Sequence, residues 1–267
     1  MDGEGFDHEI FMTERPGHAT EIARSCDADV VVAVGGDGTV SEVAQGLVGS
    51  DRILGIIPSG SGDGLALHLG ISRNPEKALR TLCGMCIVNM DCGTVNGRYF
   101  FCTTGVGLDA VVASRFAEAP KRGLWTYISE AWKTWKNFVP EKYEIDVDGK
   151  KWEGPAVFVT VGNANQWGNG ARITPAASVT DGLLDVTVVK PFRTAEVPAL
   201  AARLMTGKAQ GSRRTVCFRG AHVTIRRENE GPAHYDGDPC VFGTLIEAAA
   251  VSAALRVAVP ADKKDFI

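Results

Sequence analysis

The sequence predicts an α/β domain followed by a mainly antiparallel β-sandwich domain. Two observations support this prediction. Strand and helix patterns alternate over the first third of the 267 residues, and short strands with Asn-Gly and Asp-Gly turns follow. Alternating strands and helices indicate a parallel sheet with helices on its faces. We therefore expect an α/β domain in residues 1–92, a β-sandwich in residues 93–258 and a tail in residues 259–267.

The first domain begins with a short predicted strand, HEIFMT, at residues 8–13, and a predicted helix at residues 16–26. The β-branched run DVVVAV, which ends at Val34, is typical of a strand buried on both faces. Apolar residues spaced by three and four in residues 39–48 predict the next helix. The strand RILGIIP and the short helix DGLALHLGI follow, and they complete a βαβα pattern.

Two turn signals mark hairpins in the second domain. Asn96-Gly97 and Asp148-Gly149 lie between strand-like runs, and such pairs favour tight hairpin turns. A helix is predicted in residues 124–138. Further strands are predicted in GPAVFVTVGN, GLLDVTVVKP, RRTVCFRG, HVTIRRE and SAALRVAVP.

Composition excludes several classes of protein. A net charge of −4 argues against a general nucleic-acid-binding protein. No apolar run approaches the roughly 18 residues that a membrane span needs. The acidic start MDGEGFDHEI lacks the basic and apolar parts of a signal peptide. Seven cysteines without regular spacing are typical of a reducing compartment, so we expect a cytoplasmic protein.

A glycine-rich segment, GGDGT at residues 35–39, directly follows the buried strand. Ligands bind at the carboxyl ends of parallel strands, and glycines can take positive φ and leave backbone N–H groups uncovered. Such groups, with the following helix, attract anions. Thr39 and Glu42 fit a capping box that would start this helix. The segment therefore predicts a phosphate-binding loop; the alternative is a tight turn with a capping threonine and a solvated aspartate.

Asp37 is the charged member of this loop. Phosphates repel a carboxylate unless a divalent cation bridges them or the carboxylate takes a proton from an attacking hydroxyl. Small residues recur at residues 59–64, between the next strand and helix, which suits a nucleotide better than a single phosphate. The dinucleotide fingerprint and the Walker A motif are both absent.

GGDGT followed by PSGSGDGLALHLGI resembles the catalytic-domain family of diacylglycerol kinases and sphingosine kinases, and the small bacterial lipid kinases in particular. The segments TERPGHATEIA, DCGTVNGRYFFCTTGVGLDA, ITPAASVTDGLLDV and YDGDP are similar to further parts of that family. NAD kinases and phosphofructokinases share GGDGT, but PSGSG and DGLLDV favour the lipid kinases. The resemblance implies an NAD kinase/diacylglycerol kinase-like fold, with the active site between a nucleotide-binding domain and a β-sandwich.

The resemblance also implies roles for individual residues. The expected ATP contacts are Thr13, Gly35, Gly36, Asp37, Gly38, Thr39, Ser59, Gly60, Ser61 and Gly62. Asp109 would organise the lipid substrate. Asp181, with carbonyl groups near Ser178 and Leu183, would hold a structural magnesium ion. Asp236 and Asp238 fall on the Asp-Gly-Glu motif that places the proton acceptor, so the candidate bases are Asp37, Asp236 and Asp238.

The sequence departs from the family at three places. Asp63 replaces an asparagine, and its charge should weaken ATP binding unless a metal or an arginine offsets it. Asp238 replaces a glutamate and has a shorter reach. The family's first strand and its Asn-Pro-x-Ser-Gly loop are missing. We therefore expect either that the true start codon lies upstream or that the protein is shortened. A shortened protein should bind ATP weakly, and its unpaired sheet position would favour pairing between chains in a homodimer.

Two further segments have open interpretations. Trp125, Ile128, Trp132, Trp135 and Val139 form one helical stripe, which either packs over the β domain or forms an acyl-chain wall and membrane-docking edge. The arginine-rich strands near residue 220 either form a solvated face or meet anionic head groups. His234 lies two residues before Asp236 and is a candidate for a site role.

The sequence thus predicts an ATP- and Mg²⁺-dependent kinase that phosphorylates a diacylglycerol- or sphingosine-like lipid. The expected partners are the lipid and, peripherally, the inner face of the membrane, and not nucleic acid. One alternative is a phosphotransferase similar to NAD kinase. The other is a nucleotide- or lipid-binding protein without catalytic activity.

Overall fold

In a computed structural model, which describes residues 7–84, 86–118 and 124–266, the first third of the chain alternates strands and helices. The predicted strand at residues 8–13 is wrong. Its apolar residues Ile10, Phe11 and Met12 are exposed, so their pattern does not reflect burial in a sheet. The elements of this part are α1 (His18–Ser25), β1 (Val30–Gly35), α2 (Asp37–Leu47), β2 (Ile53–Pro58), α3 (Gly64–His68) and α4 (Pro75–Cys83).

The remaining chain is mainly antiparallel strands with three helices among the described residues. Its elements are β3 (Cys86–Val95), β4 (Arg98–Phe100), β5 (Thr103–Gly107), α5 (Leu108–Glu118), α6 (Leu124–Trp135), β6 (Glu141–Val147), β7 (Lys150–Ala156), β8 (Phe158–Gly162), β9 (Leu184–Val189), α7 (Val197–Met205), β10 (Thr215–Gly220), β11 (His222–Arg227), β12 (Gly231–Tyr235), β13 (Asp238–Phe242) and β14 (Leu245–Val259).

Both predicted hairpin turns are confirmed. Asn96 and Gly97 have φ angles of 45° and 80°, and Asp148 and Gly149 have φ angles of 47° and 83°. Two successive left-handed residues match the twist of the flanking strands, which is why Asn-Gly and Asp-Gly pairs occur there. These turns fix the β3–β4 and β6–β7 registers.

The sequence patterns do not predict helices α4, α5 and α7. The start of α4 had a signal, since the Asn74 side chain accepts a hydrogen bond of 3.1 Å from the Lys77 N–H and Pro75 follows as the first helical residue. Helices α5 and α7 contain apolar runs such as DAVVA and VPALAA, which periodicity does not distinguish from short strands.

The first sheet of the described strands has the order β1-β2-β14-β11-β6-β7, and β3 pairs with both β14 and β4. Strands β1 and β2 are parallel, as predicted, from Val30 opposite Ile53 to Gly35 opposite Pro58. Strand β14 is antiparallel to β3 and β11, but its end pairs parallel with β2. One long strand therefore connects the α/β part to the β-rich part.

The second sheet has the order β10-β9-β8-β5-β12-β13 and is antiparallel. Apolar residues from both sheets, such as Tyr143 and Ile145 from the first and Val159 and Val186 from the second, form one buried cluster between them. The predicted α/β plus β-sandwich fold is thus confirmed. The predicted boundary between residues 92 and 93 falls inside β3, so the division by residue number stays a prediction.

Candidate active site

The two glycine-rich loops are in direct contact at the carboxyl ends of β1 and β2. The Ser59 N–H donates a hydrogen bond of 2.8 Å to the Gly35 carbonyl oxygen. A Cβ atom on Gly60 would lie 2.5 Å from the Gly36 Cα. Side chains at Gly36 and Gly60 would therefore separate the loops, and the backbones together form one floor for a ligand.

The reason for the glycines of the first loop differs from the predicted one. Gly35, Gly36 and Gly38 do not have positive φ angles. A Cβ atom on Gly35 would lie 2.7 Å from the Thr39 Cβ, and Gly36 faces Gly60, so close packing requires these two glycines. A Cβ atom on Gly38 would meet nothing within 4 Å. Gly38 therefore leaves open space in the wall of the cavity described below.

The predicted capping box is wrong. Helix α2 begins at Asp37 after Gly36, so Thr39 lies inside the first turn, and no side chain caps this end. The Glu42 carboxylate instead accepts hydrogen bonds from the N–H groups of Gly17 (2.9 Å) and Ala19 (3.2 Å) at the start of α1. Because a carboxylate near a helix N-terminus is favourable, Glu42 stabilises the packing of α1 on α2.

Asp37 connects the two loops through its carboxylate. Its Oδ1 accepts a hydrogen bond of 2.7 Å from the Gly64 N–H at the start of α3. Burial raises the pKa of Asp37; the Gly64 N–H opposes this rise, and the negative charge of Asp63 adds to it. A carboxylate in this position would favour a bound cation.

Asp63, the first departure from the family pattern, lies beside an arginine. Its Oδ2 is 3.0 Å from the Nε of Arg73, and its side chain is only 3% exposed. Its charge was expected to weaken ATP binding unless a metal or an arginine offsets it, and Arg73 is in place to do so.

Asp236 lies in the tight turn between β12 and β13 and accepts four hydrogen bonds. Its Oδ1 accepts from the N–H groups of Cys102 (2.7 Å) and Thr103 (3.2 Å), and its Oδ2 accepts from the Phe101 N–H (2.9 Å) and the Ser41 hydroxyl (3.1 Å). Burial raises the pKa of Asp236 to about 6, although these four donors lower it. This geometry favours a structural role for Asp236, because both oxygens already bind protein donors.

Asp238 differs from Asp236 in its surroundings. It is the first residue of β13, it is exposed, and it lies in the cavity wall next to Gly237. The turn residues Asp236 and Gly237 have φ angles of 49° and 84°, which is the left-handed pair of an Asp-Gly hairpin turn. Asp236-Gly237 is a further Asp-Gly pair of the kind that favours a hairpin turn, and this hairpin fixes the positions of Asp236 and Asp238.

Asp109 lies in the first turn of α5 and forms a buried cluster with His234 and Thr160. Its Oδ2 accepts a hydrogen bond of 3.1 Å from the Thr160 hydroxyl and lies 3.3 Å from the His234 Nε2. In the sheet, Gly105 lies opposite His234 on one side and Thr160 on the other. A Cβ atom on Gly105 would lie 2.5 Å from the Asp109 Oδ2. The missing side chain at Gly105 thus leaves room for the carboxylate.

One cavity of about 1060 Å³ connects these groups. Its wall includes Gly36, Asp37, Gly38, Gly60, Ser61 and Gly62 of the predicted nucleotide contacts, together with Asp109, His234, Asp236 and Asp238. Thr13, Gly35, Thr39 and Ser59 are not part of this wall as the structure describes it. The two loops and the candidate acidic residues therefore face one space.

The far part of the cavity is apolar and lies among α5, α6 and α7. The side chains of Trp135 and Phe192 stack with ring centroids 4.4 Å apart. The apolar wall of this part comprises Leu108, Val112, Ala113, Phe116, Trp132, Trp135, Phe158, Trp167, Phe192, Val197, Leu200, Ala201, Leu204 and Met205. Trp132 and Trp135 of the predicted stripe thus line the cavity; the side chains of Trp125 and Ile128 lie outside the described residues.

The predicted magnesium site at Asp181 lies beside an arginine. The Asp181 Oδ1 accepts a hydrogen bond of 3.0 Å from the Leu183 N–H, and its Oδ2 lies 3.6 Å from the Arg219 Nη1. The Ser178 hydroxyl lies 3.2 Å from that of Thr180. The predicted magnesium site, one carboxylate with backbone carbonyl groups, therefore stays a prediction.

Sequence patterns did not reveal several groups that hold the site together. Ser41 donates to Asp236, and the His68 Nδ1 accepts a hydrogen bond of 3.2 Å from the Asn165 N–H. Each of these contacts joins positions more than 90 residues apart, so no local pattern signals them.

In the described part of the chain, no helix has the length and apolar character needed to cross a membrane.

Comparisons with known proteins agree on one family. A model of the diacylglycerol kinase catalytic domain matches residues 1–95, and a model of the YegS C-terminal NAD kinase beta sandwich-like domain matches residues 102–259. A diacylglycerol kinase from Bacillus subtilis is 26% identical over 98% of this chain and 88% of its own length. A protein from Klebsiella pneumoniae named "Probable lipid kinase YegS-like" is 29% identical over 97% and 88%.

A solved structure supports the fold assignment independently. A crystal structure of a diacylglycerol kinase from Bacillus anthracis superposes with a TM-score of 0.74. The alignment covers 94% of this chain and 84% of the other, with 21% identity. At this identity, the likeness shows a shared fold.

Proposed function

Because the chain belongs to the family of bacterial diacylglycerol kinases and YegS-like lipid kinases, we propose that it transfers the γ-phosphate of ATP to the hydroxyl group of a lipid. The observation that carries this proposal is the single cavity, whose one end is formed by the two glycine-rich loops and whose other end is apolar. A polar end for the phosphates and an apolar end for a hydrocarbon chain suit a lipid substrate.

The two loops bind the polyphosphate of ATP in this proposal. Backbone groups at the start of α2 and at Gly60 to Gly62 face the cavity, and no side chain at Gly38 blocks the approach. Asp37 offers hard carboxylate oxygens beside the loops, which fits a magnesium ion that would offset the phosphate charge. Catalysis then depends mainly on positioning and charge stabilisation.

Asp238 is the best placed proton acceptor. It lies in the cavity wall, and the residue is exposed. In the reaction, the lipid oxygen forms a bond to the γ-phosphorus, the bond to the ADP oxygen breaks, and Asp238 takes the hydroxyl proton. Asp109, held by Thr160 and close to His234, orients the lipid head group.

The cavity favours a diacylglycerol- or sphingosine-like acceptor over a dinucleotide. A second nucleotide needs hydrogen-bonding groups for its base and ribose, but the described wall beyond the acidic residues consists mainly of aromatic and aliphatic side chains. This contrast argues against the alternative of a phosphotransferase similar to NAD kinase.

We also propose that the edge formed by α6 and α7 touches an anionic membrane surface. Trp132 and Met205 are 45% and 58% exposed at the apolar end of the cavity. Exposed cations on these helices or directly after them are Lys136 and Arg203, together with Lys133, which pairs with Glu130. Apolar side chains beside cations suit an anionic interface. Co-sedimentation with phosphatidylglycerol vesicles should therefore exceed that with phosphatidylcholine vesicles; equal binding would count against this surface.

Phosphate transfer to a panel of acceptors tests the proposed function. The purified chain is incubated with labelled ATP and Mg²⁺, and with dioctanoylglycerol, sphingosine or NAD, beside an Asp238→Asn control. We expect label in a lipid product, and a rate about 100-fold or more lower with the control. Label in NAD would favour the dinucleotide alternative. Binding of ATP without transfer to any acceptor would favour a protein without catalytic activity.

A further inference from the structure

We propose that Arg73 is the residue that makes the second glycine-rich loop able to accept a polyphosphate. Arg73 neutralises the buried Asp63 and binds two carbonyl groups of the loop. This inference rests on the proposed function, since it assumes that the loop at residues 59–64 binds ATP. No motif in the sequence pointed to Arg73, which lies ten residues after Asp63.

Asp63 is a charged residue inside the loop rather than on its surface. Its side chain is 3% exposed, and its Oδ1 accepts a hydrogen bond of 2.9 Å from the Gly60 N–H. Its φ of 50° is left-handed, which directs the backbone into the short helix α3. A buried carboxylate in such a position is costly unless a cation pairs with it.

Arg73 supplies that cation and makes three further contacts. Its Nε lies 3.0 Å from the Asp63 Oδ2. Its Nη2 donates hydrogen bonds to the carbonyl oxygens of Gly62 (2.6 Å) and Ser61 (3.3 Å) and to the Asn169 Oδ1 (3.0 Å). The guanidinium thus binds two carbonyl oxygens of the loop and fixes the loop backbone beside the cavity.

The same contacts join the loop to the β-rich part of the chain. The Asn169 N–H donates a hydrogen bond of 2.9 Å to the Gly62 carbonyl oxygen, and a Cβ atom on Gly168 would lie 3.0 Å from the Gly62 Cα. Arg73 therefore lies where the loop, Asn169 and the cavity wall meet. It sets both the charge and the shape of the loop.

The charges explain why the effect should appear in ATP affinity. The two loops contain Asp37 and Asp63, and an incoming polyphosphate adds several negative charges. With Arg73 present, Asp63 is neutralised by a pair 3.0 Å apart. Without it, a buried and unpaired carboxylate would repel the polyphosphate across a distance at which charges interact strongly.

The test measures ATP dissociation constants by calorimetry for the wild type, Arg73→Met, Arg73→Lys and the double variant Asp63→Asn/Arg73→Met. We expect Arg73→Met to weaken ATP binding by about tenfold or more and to raise the KM for ATP while the KM for dioctanoylglycerol stays the same. Arg73→Lys should retain part of the affinity. The double variant should bind ATP more tightly than Arg73→Met, because no carboxylate is left unpaired. Arg226→Met, an exposed arginine on β11, is the matched control.

Two results would overturn the inference: unchanged ATP affinity in Arg73→Met, or a double variant as weak as Arg73→Met. If Arg73→Met does not fold, the ATP affinities of Arg73→Lys and of the double variant are compared with that of the wild type instead. Unchanged affinity in Arg73→Lys, or a double variant that binds ATP more weakly than Arg73→Lys, would then overturn the inference. A wild type that does not bind ATP would instead refute the proposed function, which distinguishes the two failures.

Discussion

At the residue scale, Asp236 and Asp238 show how two carboxylates of one motif can have different roles. They are separated by Gly237, yet Asp236 accepts four protein hydrogen bonds whereas Asp238 is exposed in the cavity wall. The sequence placed both on the motif of the proton acceptor. It could not separate them, because the four donors to Asp236 come from Ser41 and residues 101–103, far away along the chain.

Substitution of Asp238 should lower activity, whereas substitution of Asp236 should lower stability. Asp238→Asn should keep the melting temperature and lower kcat by about 100-fold or more, because it removes the proton acceptor. Asp236→Asn should lower the free energy of unfolding by roughly 2–4 kcal/mol, because its amide NH₂ would face N–H donors. Thermal melts and steady-state kinetics measure both. A stable Asp236→Asn, or a fully active Asp238→Asn, would contradict these roles.

His68 gives a prediction about pH. Burial lowers the pKa of His68 to about 4, although the side chain of Asn165 opposes this shift. Because the folded-state pKa lies below the unfolded value near 6.5, the unfolded chain binds the proton first as the pH falls. His68 therefore does not affect the free energy of unfolding above pH ~6.5. As the pH falls from ~6.5 to ~4, protonation of His68 in the unfolded chain lowers the free energy of unfolding by about 3 kcal/mol.

His68→Asn isolates this effect, since the asparagine Oδ1 can accept the Asn165 N–H but does not titrate. Urea unfolding of both proteins across this pH range gives the difference in stability. We expect the variant to be less acid-sensitive than the wild type. Parallel stability curves would show that His68 is not the group responsible.

At the scale of elements, the two glycine-rich loops show what the sequence could predict. The strands before them, the helices after them and their position at the sheet edge are all confirmed, because local periodicity encodes them. The reason for the glycines was not predictable. It depends on contact between Gly36 and Gly60, and a sequence pattern does not show which loops touch. The same limit explains why Arg73 and His68 gave no signal.

Alanine at two glycines separates packing from ligand approach. Gly60→Ala should destabilise the protein by about 1–3 kcal/mol, because its Cβ would lie 2.5 Å from the Gly36 Cα. Gly38→Ala lies in α2 with open space around it, so the melting temperature should stay the same or rise. ATP affinity should nevertheless fall in Gly38→Ala, since the new methyl group points into the space proposed for the polyphosphate. Unchanged ATP affinity in Gly38→Ala would show that the polyphosphate does not lie against Gly38.

At the scale of the whole molecule, the sequence predicted two architectures but not how they combine. Strand β14 belongs to the sandwich and also pairs parallel with β2, so the two parts share a sheet. The apolar helices α5 and α7, which periodicity did not identify, form much of the cavity wall. The phosphate end of the site was therefore predictable from local motifs, whereas the apolar end depends on tertiary packing.

The central claim is that one cavity holds both the phosphates and the lipid chain. Ala201 is exposed on α7 and lines the apolar end, so Ala201→Trp should narrow that end without disturbing the fold. The most direct measurement is kcat/KM for diacylglycerols with eight-carbon and sixteen-carbon chains, for the wild type and Ala201→Trp. We predict that the variant loses about tenfold or more with the long chains, changes little with the short ones and keeps the KM for ATP. Equal chain-length dependence in both proteins would contradict the claim that the lipid chain occupies this cavity.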